Sequence, residues 1–165
     1  MLRDRNDYCL IGESAPGKHP ADRIRTAGLK VSAARVAILG ALEADRSHPT
    51  AEQVFEGLRT SQPSLSLSTV YKTLDAFSRV GQCRRLVGEG GGLRFDGVLV
   101  DHDHALCRAC GAVYDIAPVE RIRPAPPPAL LEAMHVAAVR VEYEVVCPRC
   151  CSSSSEAPVE RPASI

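Results

Sequence analysis

No run of about 18 apolar residues occurs anywhere in the 165-residue chain, which excludes a membrane-spanning helix. Met1 to Gly12 carries acidic residues and lacks the apolar stretch of a secretory signal, so the expected location is the cytoplasm. Net charge is also missing. Twenty basic residues balance twenty acidic ones, so any contact with nucleic acid has to come from a local basic face and not from a bulk field. No internal repeat is evident. Hydrophobic residues make up 45% of the chain, enough for a folded core in one ordinary domain or two small ones.

Cysteine, by contrast, is plentiful at seven residues. Cys107, Cys110, Cys147 and Cys150 form two Cys-x-x-Cys knuckles, the spacing of a tetrahedral zinc site. With four sulfurs no coordination position stays open, so the role is structural. Two disulfides or a redox pair are the alternatives, disfavoured in a chain without a secretory signal. Cys9, Cys83 and Cys151 read as a tail residue, a small semi-buried hydrophobe and a neighbour of the last ligand.

Along the chain, residues 1–19 and 152–165 lack periodicity and read as flexible tails. Ala21 to Ala27 reads as a short helix ended by Gly28. Ser32 can cap a second helix bearing Val36, Leu39 and Leu42, and Thr50-x-x-Gln53 is a capping box opening a third with Ala51, Val54, Phe55 and Leu58 inward. A fourth, capped by Ser66 or Ser68 and stopping near Gly81, buries Val70, Leu74 and Phe77. It leaves Ser68, Thr69, Tyr71, Lys72, Asp75 and Arg79 outward. The basic segments around Gly88 to Gly92 read as a β-hairpin. Short helices followed by a basic hairpin make a winged helix-turn-helix, with the helix before the wing as recognition helix.

Beyond Asp96, Ala112 to Ile116 and Val139 to Val146 are strand-like, with a Pro124 to Pro128 break and a helix candidate at Ala129 to Val136 between them. The cysteine knuckles flank those strands, and pairing the strands is expected to bring the knuckles together. So small a unit needs metal and dimerisation to stand. The fold class expected is α+β: a winged-helix domain over 20–96, a hinge over 97–104, and a zinc-stapled α/β dimerisation domain over 105–151.

Asp101-His102-Asp103-His104 places two histidines at i and i+2 of an extended segment, on the same side and able to share one ion. A solvated loop is the bland alternative. His48, Asp96 and Asp115 are further candidates near element ends.

His48-Pro-Thr-Ala51, Ser66-Leu-Ser-Thr-Val-Tyr-Lys-Thr-Leu74, Arg94-Phe-Asp96, His102 to Gly111 and Cys147-Pro-Arg-Cys150 together resemble, in order and spacing, the signature series of the ferric uptake regulator family. The resemblance covers residues of about 20 to 151. It departs at Ser32-Ala-Ala-Arg35, where the family usually has Thr-Pro-Gln-Arg, and at Val139, which stands for a histidine of an additional metal site. That additional site is not expected.

What the resemblance implies is a homodimeric, metal-dependent repressor of double-stranded DNA with structural zinc and a regulatory Fe(II) or Mn(II) at the domain junction. The regulatory ligands fall on His48, Asp96, His102, His104 and Asp115, and aspartate at both carboxylate positions is similar to the peroxide-sensing branch. There His48 and His102 are the positions expected to be oxidised. An A/T-rich inverted repeat is the expected operator. Ser68, Thr69, Tyr71 and Lys72 are expected in the groove, and Arg35, Arg84, Arg85, Arg94, Arg23, Arg25 and Lys30 on phosphates. The alternatives are a sensor of iron or zinc occupancy without peroxide chemistry, a zinc-ribbon interaction module, or, disfavoured by ligand number and order, an iron-dependent oxygenase.

Overall fold

Helix-capping chemistry sets the first half of the molecule. In the computed structural model, which describes residues 18–87, 92–117, 125–136 and 139–152, four helices come in succession. They are α1 (Pro20–Thr26), α2 (Ala33–Ala44), α3 (Ala51–Leu58) and α4 (Leu67–Arg79). Ser32 caps α2 by accepting from the Arg35 amide, Ser66 does the same for α4 through the Thr69 amide, and Thr50 with Gln53 forms a complete capping box on α3. Gly28 and Gly81, at φ of 74° and 71°, take the left-handed turns that end α1 and α4.

The helices enclose one core. Ile24, Ile38, Leu39, Leu42, Val54, Val70, Leu74 and Phe77 are buried in it, while Val36, Phe55 and Leu58 are only partly covered. Each fully buried aliphatic side chain contributes about 1.5–3 kcal/mol. Phe95 joins this core from the hairpin of β1 (Arg84–Val87) and β2 (Leu93–Asp96), antiparallel with Arg84 opposite Asp96. Helices plus wing make the winged helix.

Gly97 then lets the chain leave the wing against α2. An added Cβ there would lie 2.7 Å from the Leu42 carbonyl oxygen and 2.8 Å from its carbon, both backbone atoms.

The second unit is a three-stranded sheet of β3 (Asp103–Cys107), β4 (Val113–Ile116) and β5 (Glu142–Val145), with α5 (Pro128–Ala133) and the short α6 (Pro148–Cys151). Here the sequence reading needs correction. β4 and β5 do not pair with each other: both pair with β3, which was read as hinge and knuckle, and the sheet order is β4-β3-β5. β3 runs antiparallel to β4 and parallel to β5, with Cys107 beside Val145. The knuckles converge because Cys107 ends the central strand and Cys147 follows its parallel neighbour. α5 buries none of its residues, and Leu131 and the following Met134 are exposed.

Cys9, the outer parts of both tails, Gly88 to Gly91 and Pro124 lie outside the described residues. Among those described, no helix is long and apolar enough to cross a membrane.

Candidate metal centres and nucleic-acid face

The cysteine cluster is built by backbone geometry around its sulfurs. Cys107, Cys110, Cys147 and Cys150 bring their Sγ atoms within 4.8 Å of one another, all as free thiols. Cys110 and Cys147 are 3.8 Å apart. A tetrahedron with metal–sulfur bonds of about 2.3 Å has edges of about 3.8 Å, so the spacing suits zinc and not a disulfide. Burial works against ionisation of Cys147, yet the Cys150 amide, the Tyr114 hydroxyl and the neighbouring thiols outweigh it and bring the thiol down to about 6. Hydrogen bonding to Cys147 and Cys110 pushes Cys150 the other way, to about 12. These sulfurs do not all ionise together without a cation among them. The donor set, the spacing and the depressed Cys147 fit zinc.

The second cluster joins the two units. His48 precedes the α3 cap and holds φ at 55°, a left-handed conformation uncommon for a residue with a Cβ and one that concentrates at functional sites. Arg94 fixes it by donating to the His48 carbonyl oxygen at 3.0 Å, and the Phe95 amide donates to Pro49 O at 3.0 Å. Asp96 ends β2. Its Oδ1 accepts from the Val98 amide at 2.7 Å, which leaves Oδ2 turned to the cluster. His102 places Nδ1 2.7 Å from the Val100 carbonyl oxygen, so Nδ1 carries the hydrogen and Nε2 offers a lone pair. His104 on β3 stands opposite Asp115 on β4.

Donor atoms of His48, Asp96, His102 and His104 all lie within 4.8 Å of one another, and every one of these residues is buried. Asp115 is outside that tightest set. Its Oδ1 nonetheless lies 2.7 Å from His48 Nε2, 3.4 Å from His102 Nε2 and 3.9 Å from His104 Nε2. Of the other acids in the motif, Asp101 is exposed and Asp103 accepts from the Val141 amide at 3.3 Å, holding the lead into β5.

The electrostatics favour one positive centre among these groups. His102 Nε2 and His104 Nε2 face each other at 3.0 Å, and the buried Asp96 Oδ2 and His48 ring nitrogens have no well-directed hydrogen bond. Burial opposes a charged His102, but Asp115, Asp96 and the Val100 carbonyl outweigh it and raise the ring to about 10. Burial and the charges of His102 and His48 push His104 down to about 4. Desolvation would raise Asp115, yet His102 and His48 hold it below the ordinary carboxylate range. One proton or one cation satisfies the cluster. Orphaned buried nitrogens and a carboxylate oxygen converging on one point fit a divalent ion with mixed N/O ligation.

Arg46 was not singled out from the sequence. Its partly buried guanidinium lies 3.8 Å from Asp115 Oδ2, and no local pattern signals that contact.

On the recognition helix, Ser68, Thr69, Tyr71 and Lys72 are exposed on one side of α4, with the Tyr71 hydroxyl donating to Glu52. The arginines expected on phosphates divide. Arg85 pairs with Asp75 on the surface, and Arg35 donates to the Lys30 carbonyl oxygen at 2.7 Å. Arg84 and Arg94 turn inward: Arg84 donates to the Leu99 and Val100 carbonyl oxygens at 3.0 and 3.4 Å, and Arg94 holds His48. Arg23 is likewise internal, paired with Glu43 and donating to Gln82 Oε1 at 3.0 Å. Backbone carbonyls and the Glu43 carboxylate hold these guanidiniums against the protein.

A family model described as the ferric uptake regulator family matches residues 26–143. The chain belongs to that family. It is 34% identical over 98 residues to the peroxide operon regulator of Bacillus subtilis (strain 168), a match covering 59% of this chain and 68% of that protein. Against the peroxide-responsive repressor PerR of Staphylococcus aureus (strain Mu50) it is 33% identical over 92 residues, covering 56% of this chain and 62% of that protein, less than two thirds of its length.

Among solved structures, the Vibrio cholerae ferric uptake regulator is 26% identical, covers 76% of this chain and 98% of its own, and superposes with a TM-score of 0.60. The ferric uptake regulator from Pseudomonas aeruginosa with manganese gives 27%, 78%, 98% and 0.62. This family consists of regulators and not of enzymes.

Proposed function

We propose that the chain is a metal-dependent, homodimeric transcriptional repressor that senses peroxide through Fe(II) held at the junction of its two units, with Mn(II) as the unreactive occupant. The observation that carries this is the convergence of His48 and Asp96 from the winged helix with His102 and His104 from the segment entering β3. An ion there ties both units, and Asp115 adds a fifth donor. Ion binding would favour the one arrangement whose two recognition helices fit successive major-groove sites of an A/T-rich inverted repeat. Zinc on Cys107, Cys110, Cys147 and Cys150 would staple the second unit, and the exposed Leu131 and Met134 would meet a second copy.

The peroxide reading is supported by aspartate at both carboxylate positions and by relatives named for peroxide response. Fe(II), when bound, would promote cleavage of the O–O bond of peroxide. His48 and His102, whose rings face that position, would be the groups to gain one peroxide oxygen at a ring carbon, the other leaving as water. Tryptic peptides of protein treated with peroxide test this: Fe(II)-loaded protein should gain one oxygen at His48 or His102, and Mn(II)-loaded protein should not. Loss of DNA binding with both rings unmodified would replace this reading by a thiol switch. Release of DNA governed by metal supply alone would leave a plain occupancy sensor.

A further inference from the structure

Behind the recognition helix is a cavity of about 590 Å³ that takes no part in either metal cluster. Ser78 and Arg79 at the end of α4, Arg84 and Arg85 of β1, Leu99 of the connector and Arg140 before β5 all line it. Guanidiniums from both units therefore face one space. Among the described residues, fewer carboxylates than guanidiniums stand around it. Asp75 is shared between Arg79, at 2.9 Å, and Arg85; the nearest carboxylate to Arg84 is Asp96 at 3.9 Å; and Arg140 makes no ion pair among the described residues.

Like charges gathered around a pocket repel unless an anion sits between them. Each guanidinium presents a planar fork of donors that matches carboxylate or phosphate oxygens. We propose that this cavity binds a small multivalent oxyanion, and that its occupancy is coupled to the metal cluster through Arg84. The volume falls within the roughly 300–1,000 Å³ of small-molecule sites. Ser78 lies about 15 Å along α4 from Ser68, at the opposite end from the residues that face the groove. Arg140 comes from the other unit. Donors from two units around one space of that size favour a small ligand.

The coupling has a definite sign, and it alone rests on the metal-site reading. Arg84 bonds the Val100 carbonyl oxygen that also receives His102 Nδ1, and it stands 3.9 Å from Asp96 Oδ2. An anion that draws Arg84 into the cavity takes positive charge away from a metal-binding carboxylate. Anion and metal should then bind cooperatively, each tightening the other.

The test uses full-length, zinc-containing protein and calorimetric titration with inorganic phosphate or succinate, at ionic strength held constant with chloride. One arm represents phosphoryl ligands and the other dicarboxylates. Saturable binding of at least one anion is expected, weakened about tenfold or more by Arg140→Ala through lost charge-assisted hydrogen bonds, and unaffected by Arg25→Ala outside the cavity. Circular dichroism checks that both variants fold. Heats no different from chloride, or undiminished binding by Arg140→Ala, would overturn the site. So would loss of DNA binding by Arg140→Ala in a protein that takes up neither anion. Mn(II) affinity that does not rise with the bound anion overturns the coupling. If wild-type protein binds no Mn(II) at all, the metal-site reading fails, while the metal-free titration still decides the cavity.

Discussion

Arg46 offers a sharp perturbation of the buried cluster. Its guanidinium is 3.8 Å from Asp115 Oδ2, and its side chain is 23% exposed. For an ion held on the Oδ1 side, charges of +1 and +2 taken at about 6 Å would repel by about 5–6 kcal/mol at an effective dielectric of 20 and by about 3 kcal/mol at twice that value. The partial exposure favours the lower figure. Arg46→Met removes this repulsion and also removes one cation beside Asp115, which His102 and His48 also face. Losing the contact that orients Asp115 offsets part of the gain, so Mn(II) affinity should rise on the order of tenfold. The metal-free protein should move the opposite way, melting a few degrees lower because the buried Asp115 loses a counter-charge. Competition against a fluorescent chelator gives the affinity, and thermal melts with and without Mn(II) give the rest. Unchanged or weaker Mn(II) binding by the variant would refute this electrostatic reasoning.

Other expected outcomes rest on separate contacts. Cys147→Ser should release one zinc per chain and unfold or monomerise the second unit, measured by metal analysis and by sedimentation; a variant equally stable and dimeric would remove the structural role. Gly97→Ala should cost about 1–3 kcal/mol in denaturant melts, because its Cβ meets backbone of α2. It should also weaken Mn(II) binding by shifting Asp96. Lys72→Ala should reduce DNA affinity more than Arg79→Ala, since Lys72 is exposed on the outward side of α4 whereas Arg79 is paired with Asp75 at 2.9 Å. Gel shifts of equal loading decide the order.

The winged helix was legible because its signals are local. Ser32, the Thr50 to Gln53 box and Ser66 announce helix starts within a few residues of the apolar positions they precede. The residues that converge in the two clusters were legible through spacing and through family resemblance. β3 was not, because Asp103 and His104 read as loop by polarity, yet both are buried, one holding the lead into β5 and one facing the cluster. Its parallel pairing with β5 links segments far apart in the chain and leaves no periodic trace between them. The inward turn of Arg84 and Arg94, the approach of Arg46 to Asp115 and the tight seat of Gly97 on Leu42 are tertiary facts. A basic residue in a wing looks the same in sequence whether it reaches a phosphate or a backbone carbonyl of its own chain.

An ion shared by His48, Asp96, His102 and His104 would set the DNA-binding conformation. The most direct measurement of this is DNA capture from a random duplex pool with Mn(II) present, followed by gel shifts of the selected sequence for wild type and His104→Ala, with and without chelator. Wild-type dimer is expected to bind an A/T-rich inverted repeat only with Mn(II), and a folded, zinc-loaded His104→Ala to show no metal-dependent shift. Wild-type binding that persists after removal of the Mn(II), or a metal response retained by the variant, would contradict it.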